Sequence, residues 1–132
     1  MRAFREAVEA GDTDAAEALL AEDVVFTSPV AFKPYTGKAI TAAILRAVVQ
    51  VFEDFRYVRE IGDPDGRDHA LVFTARVGER EITGCDFLRL DEDGLISDFM
   101  VMVRPLSGAQ ALAEAMGARF DGILEEAQNR SA

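Results

Sequence analysis

Between His69 and Arg104 the chain reads HALVFTARVGEREITGCDFLRLDEDGLISDFMVMVR, and this stretch leaves room for little other than three antiparallel strands. The first run, His69 to Val77, is rich in Val, Leu and Phe. Gly78 and Glu79 then fit a tight turn. The second run, Arg80 to Leu90, alternates: Ile82, Gly84, Asp86, Leu88 and Leu90 fall on one face, and Thr83, Cys85, Phe87 and Arg89 on the other. Asp91-Glu92-Asp93-Gly94 has hairpin chemistry, with Gly94 free to take a positive φ. In the third run Phe99, Val101 and Val103 share a face, while Asp98, Met100, Met102 and Arg104 share the other. Two tight turns joining three strands make a meander, so the sheet is expected to be antiparallel. One carboxylate, Asp86, falls on its apolar face.

The rest of the chain supplies elements to pack on that meander. Residues 2–10 carry Phe4, Ala7 and Val8 at helical spacing, and Gly11 ends the helix. Asp12 or Thr13 caps a second short helix over 14–21. Val24 to Ser28 reads as a strand ended by Pro29. A loop follows over 29–37, containing Phe32 and Tyr35. From about Ala39 to Phe52 the set Ile40, Ala43, Ile44, Ala47, Val48 and Val51 gives a helix with one apolar face. Phe55 to Ile61 alternates as a strand, with Phe55, Tyr57 and Ile61 on one side. GDPDGRD (62–68) is an acidic turn that leaves His69 as a solvated strand end. Pro105 stops the last strand. Ala109 to Met116 forms a helix that Gly117 interrupts, followed by a further turn or two and a frayed NRSA tail. The order α-α-β-α-β-β-β-β-α is α+β, with helices early and strands late.

Length and charge bound the function. A chain of 132 residues suits one domain with its own core. A formal net charge of −10 disfavours nucleic acid and anionic membrane surfaces as partners. The single cysteine, Cys85, allows no internal disulfide and suits a reducing, cytoplasmic setting. One histidine, one cysteine and scattered carboxylates have no zinc spacing, and the 91–94 turn lacks the alternating ligands of a calcium loop. No metal or cofactor is expected.

These residues resemble a known group of proteins. The resemblance is carried by Phe4 through Ala10-Gly11-Asp12, by Leu20 to Phe26, and by Ser28-Pro29-Val30. Tyr35-x-Gly37 before Ile40 and the hairpin from Asp86 to Ile96 complete it. The pattern is similar to the nuclear transport factor 2-like superfamily, especially SnoaL-like proteins and relatives of ketosteroid isomerase, and spans residues 1–116. The resemblance implies a strongly curved antiparallel sheet forming a cone closed by N-terminal helices. Residues 117–132 would be a C-terminal helical extension and tail of the single SnoaL-like domain. It also implies a homodimer through the convex sheet face, here the face carrying Thr83, Phe87, Asp98, Met100 and Met102. Ketosteroid isomerases place a tyrosine on the first helix, a carboxylate base before the Pro-Val step, and a protonated aspartate on a late strand. The first two positions fall on Phe4 and Ser28, which lack that chemistry. Only Asp86 remains, and this weighs against ketosteroid isomerase activity itself.

Asp86 is therefore the candidate acid or base. Apolar surroundings raise a carboxyl pKa, so it would donate a hydrogen bond when neutral or take a proton when ionised. The alternative is that Asp86 bonds a neighbouring hydroxyl and only orders the core. Around it, Ser28, Tyr35 and Tyr57 are candidate polar contacts to a ligand. Phe4, Phe52, Phe55, Phe73, Phe99 and Val101 are candidate apolar lining. The expected ligand is a small, mostly apolar molecule, and the expected chemistry is cofactor-free proton transfer of the isomerase, dehydratase or cyclase kind. The alternative function is a non-catalytic dimeric binding or assembly module with a vestigial pocket.

Overall fold

The computed structural model describes residues 1–131. Helices α1 (Arg2–Glu9) and α2 (Thr13–Ala18) precede strand β1 (Leu20–Thr27) and the two-residue β2 (Tyr35–Thr36). Helix α3 (Lys38–Val51) leads into β3 (Glu53–Ile61), β4 (Asp68–Val77), β5 (Arg80–Leu90) and β6 (Ile96–Arg104). Helices α4 (Leu106–Gly117) and α5 (Phe120–Ser131) close the chain. The strands form one curved, unclosed six-stranded sheet in the order β2-β1-β6-β5-β4-β3.

The meander forms as its turns require. Val77 faces Arg80 across Gly78-Glu79, and Gly78 has φ +60°, a conformation that costs other residues a Cβ clash. The β5–β6 hairpin turns at Gly94, which has φ +78°. The Asp91 carboxylate accepts the amides of Asp93 and Leu95 there, at 2.9 and 3.0 Å. Ile82, Asp86 and Leu88 are buried, whereas Phe87 and Arg89 on the opposite face are exposed.

Several expectations are corrected. The sheet is mixed: β1 runs parallel to β6, with Phe26 beside Phe99 and Thr27 beside Met100. The antiparallel meander leaves β6 as its free inner edge, and the chain enters β1 from α2 in the same direction as β6. The segment 29–37 is not all loop, because Tyr35 and Thr36 pair back onto Phe26 and Val25. Helix α2 ends at Ala18, and β1 begins at Leu20, earlier than expected. Asp12 is the cap, its carboxylate accepting the Ala15 amide at 3.0 Å. Ile61 does not share the inward face of Tyr57. The register slips between Tyr57 and Arg59, and Ile61 emerges 48 % exposed. His69 is buried rather than solvated, with Nε2 2.8 Å from the Gly66 carbonyl oxygen. The last helices exceed their expected lengths, and α5 runs through Asn129 and Arg130 into Ser131. Of the expected frayed tail, only Ala132 lies outside the described residues.

The core lies between the concave face of the sheet and α1, α3, α4 and α5. Phe99 on β6 meets Phe4 of α1 and Phe26 of β1 edge-on, at centroid distances of 5.5 and 5.2 Å. Of the expected apolar stripe, helix α3 buries Ala43, Ile44, Ala47 and Val51 and leaves Ile40 and Val48 partly buried, while Thr41 and Ala42 are buried as well because the helix is covered on more than one side. Helix α5 packs along it, tied at its ends by side chains. Arg119 donates to Gln50 at 3.0 Å, Arg130 donates to Glu17 at 2.9 Å, and Glu126 lies 3.8 Å from Arg46. Among the described residues no helix is long and apolar enough to cross a membrane.

Candidate functional site

A cavity of about 370 Å³ occupies the cone between the sheet and the helices. Every residue expected to contact a ligand lies on its wall: Asp86, Phe4, Ser28, Tyr35, Phe52, Phe55, Tyr57, Phe73, Phe99 and Val101. Two strands and one helix end build the aromatic side. Phe52 at the end of α3, Phe55 and Tyr57 on β3, and Phe73 on β4 form a continuous ring cluster. Phe55 sits 5.0 Å from Phe73 and 4.9 Å from Tyr57 between centroids. Phe52 stacks on Phe55 at 5.8 Å. Gly84, paired with Phe73 across β4 and β5, makes this possible: the Phe73 ring occupies the space where a Cβ on residue 84 would lie.

Among the described residues Asp86 is the only carboxylate on the cavity wall. It is 6 % exposed, and its Oδ2 accepts a hydrogen bond from the Tyr57 hydroxyl at 2.6 Å. Burial raises its pKa from 3.8 to about 7, and the Tyr57 hydrogen bond pulls partly the other way by favouring the ionised form. Tyr57 itself is pushed well above the usual phenol range, first by burial and then by the Asp86 charge. It therefore stays protonated and acts as the donor. Among the described residues no protein group hydrogen-bonds Oδ1 of Asp86. That oxygen is left to take or give a proton in the cavity.

Tyr57 is held by its backbone as well as its ring. Its amide donates to Glu9 Oε2 at 3.2 Å, and its carbonyl oxygen accepts from Arg5 at 3.2 Å. Arg5 in turn pairs with Glu9 and Glu60, at 3.1 and 3.3 Å. Helix α1 thus fixes the height at which the Tyr57 hydroxyl meets Asp86. Ser28 lies just beyond β1. Its Oγ accepts the amides of Val30 and Ala31 at 3.1 and 2.8 Å, a local turn of the kind a serine before proline makes. Cys85 points away from Asp86, and burial raises its thiol pKa, the mark of an unreactive cysteine.

The sequence reading did not include the helical wall opposite the strands. Leu112, Met116, Phe120 and Ile123 from α4 and α5 line the cavity, as do Ile44, Leu45, Val48 and Val49 from α3. The spacing of Leu112, Met116, Phe120 and Ile123 is helical, and that periodicity is the signal that identifies them. Among the described residues no group of three or more His, Cys, Asp or Glu side chains is arranged to hold a metal ion.

A protein conserved in bacteria, of cystatin-like fold and uncharacterised, from Silicibacter pomeroyi DSS-3 is 42 % identical. It superposes with a TM-score of 0.88, covering 96 % of this chain and 91 % of that one. A steroid delta-isomerase from Pseudomonas aeruginosa is 48 % identical, with a TM-score of 0.85 over 92 % of this chain and 89 % of that one. A putative polyketide cyclase from Pseudomonas putida KT2440 shares the fold at 23 % identity, with a TM-score of 0.65 over 81 % of this chain and 90 % of that one. No curated protein matches the chain. The family profile described as SnoaL-like domain matches residues 1–99, which includes α1, the aromatic cluster and Asp86. The chain therefore belongs to the SnoaL-like domain family.

Proposed function

We propose that the protein binds a small, mostly apolar molecule in the cone and moves a proton on it without a cofactor, in the manner of an isomerase or lyase. The observation that carries this reading is Asp86: a carboxyl group on an apolar cavity wall, with a pKa raised to about 7 and with Tyr57 holding one oxygen. A group titrating near the working pH can both accept and return a proton, which is what general acid–base catalysis needs. An apolar cavity with few convergent polar groups is the usual form of a small-molecule site. The steroid delta-isomerase at 48 % identity supports a proton-shifting activity. Phe4 and Ser28 occupy the positions where the sequence reading places a ketosteroid isomerase's tyrosine and base, so the work falls to Asp86 and Tyr57. The hydrogen bond from Tyr57 also favours a second reading, in which Asp86 is satisfied within the protein and the module binds without turnover.

The test is a thermal-shift screen of apolar carbonyl and polycyclic compounds at two pH values, followed by turnover assays on those that bind, with Asp86→Asn beside the wild type. Turnover should fall at least about a hundredfold in Asp86→Asn. If Asp86 acts first as a base, the wild-type rate should rise with pH through about 7, as the carboxyl ionises. An Asn variant that binds the same compounds and turns them over at the wild-type rate would remove Asp86 from the chemistry. Binding without turnover in either protein would favour the binding module.

A further inference from the structure

We propose that Ser28 is a dedicated hydrogen-bond donor to the ligand, and that the ligand presents an uncharged oxygen acceptor, a carbonyl above all, to it. A serine hydroxyl has two acceptor lone pairs and one proton. Both acceptor sites of Ser28 are taken, by the amides of Val30 at 3.1 Å and Ala31 at 2.8 Å. The proton is what remains, and among the described residues no protein acceptor receives it. Two donated amides also draw charge from the oxygen and strengthen it as a donor.

The strand register brings Ser28 to the same part of the cavity as Asp86. In the parallel pair of β1 and β6, Phe26 lies beside Phe99 and the last pair is Thr27 beside Met100; continuing that register one residue past β1 brings Ser28 level with Val101. In the antiparallel pair of β5 and β6, Asp86 lies opposite Val101. Ser28 and Asp86 thus flank Val101 at one level of the sheet, with backbones roughly 10 Å apart, two strand spacings. All three line the cavity. On a concave face their side chains converge, and the gap between them suits a fragment of a few heavy atoms.

The rest of the wall limits what that fragment can be. Among the described residues no Lys, Arg or His lines the cavity, so a carboxylate or phosphate would lie unpaired beside the Asp86 carboxyl. Tyr57 has already committed its hydroxyl to Asp86. A neutral acceptor oxygen is the group that one serine donor serves. The consequence for chemistry rests on the proton-transfer reading above. With a carbonyl oxygen on Ser28, Asp86 removes a proton from the adjacent carbon, the electron pair moves onto the oxygen as an enolate, and the Ser28 hydrogen bond strengthens. Asp86, now protonated, returns that proton to carbon, so the cycle balances without a co-reactant.

The experiment compares 1-tetralone with tetralin, the same bicycle without the carbonyl, as probes titrated by NMR into the wild type, Ser28→Ala, Ser28→Asp and Asp86→Asn. Ser28→Asp keeps an acceptor for the two loop amides but, when ionised, has no proton to give, so it separates donation from loop support. The wild type should bind the ketone about fivefold or more tightly than the hydrocarbon. Both Ser28 variants should lose that preference, and Asp86→Asn should keep it. Retention of the preference in either Ser28 variant overturns the assignment, as does a wild type that binds neither probe or both equally. Deuterium exchange at C2 of 1-tetralone in D2O reports the other half separately. Exchange unaffected by Asp86→Asn would sink the acid–base reading, while the binding preference would still assign Ser28 as the donor.

Discussion

Asp86 is a destabilising group that the fold retains. Its folded pKa of about 7 lies above the unfolded value of 3.8, so the stability it contributes is fully present below about pH 4 and is lost as pH rises through 7. Across that window each pH unit costs roughly 1.4 kcal/mol. Asp86→Asn removes the titration while leaving an amide oxygen to accept from Tyr57. Chemical denaturation between pH 4 and 8 should show the wild type losing on the order of a few kcal/mol relative to the variant as pH rises. Parallel stability curves for the two proteins would mean that Asp86 is already ionised in the folded state at low pH. Asp86 was legible in the sequence because an acidic residue at the centre of an alternating apolar strand is rare. Its partner was not, since Tyr57 lies 29 residues away on a strand whose register slips immediately after it.

At the scale of the elements, the cavity depends on one small residue. Gly84 on β5 leaves the Phe73 ring of β4 room to occupy the space a Cβ would fill, where it also meets Phe52 and Phe55. Gly84→Ala should push that ring into the cavity and cost about 1–3 kcal/mol through overpacking. The check is a denaturant midpoint together with the affinity for any ligand found by the screen; both should fall. A variant of wild-type stability and affinity would show that the aromatic cluster can re-pack freely. The alternation of β5 marks Gly84 as inward-facing, but only the β4 pairing shows which side chain fills its place. The same limit applies to His69. As a strand start after an acidic turn it reads as solvated, yet the turn folds back so that the Gly66 carbonyl reaches its ring.

For the whole molecule, the face opposite the cavity is the candidate surface for a second copy. Phe87 and Met102 are 37 % and 53 % exposed there, and the strand register puts Phe87 beside Met100 and Cys85 beside Met102. We infer a homodimer through this convex face, because an apolar strip of this kind gains by being covered while the acidic remainder of the surface keeps copies apart. Sedimentation at micromolar concentration should give a dimer, and Phe87→Glu with Met102→Glu should give a monomer of unchanged fold. A monomeric wild type would refute it. Steep salt dependence of any other association would instead point to the acidic surface as a protein-binding face.

The division between what the sequence determined and what the tertiary structure decided follows the range of the forces involved. Period-two alternation, turn glycines and helical spacing are local, so the meander, the helix α3 and the inward face of Asp86 could be read directly from residues a few positions apart. The resemblance carried by these local patterns reached the family and the cone. Three things depended on contacts between distant segments. The parallel pairing of β1 with β6 depends on where the meander's free edge comes to lie. The helical wall of the cavity depends on α4 and α5 folding back over α3, held by Arg46, Arg119 and Arg130. The Tyr57–Asp86 pair, on which the proposed chemistry turns, depends on side chains of β3 and β5 reaching each other at hydrogen-bond distance over β4, which lies between them, after the β3 register has slipped. No local pattern encodes that distance, because the curvature of the whole sheet sets it.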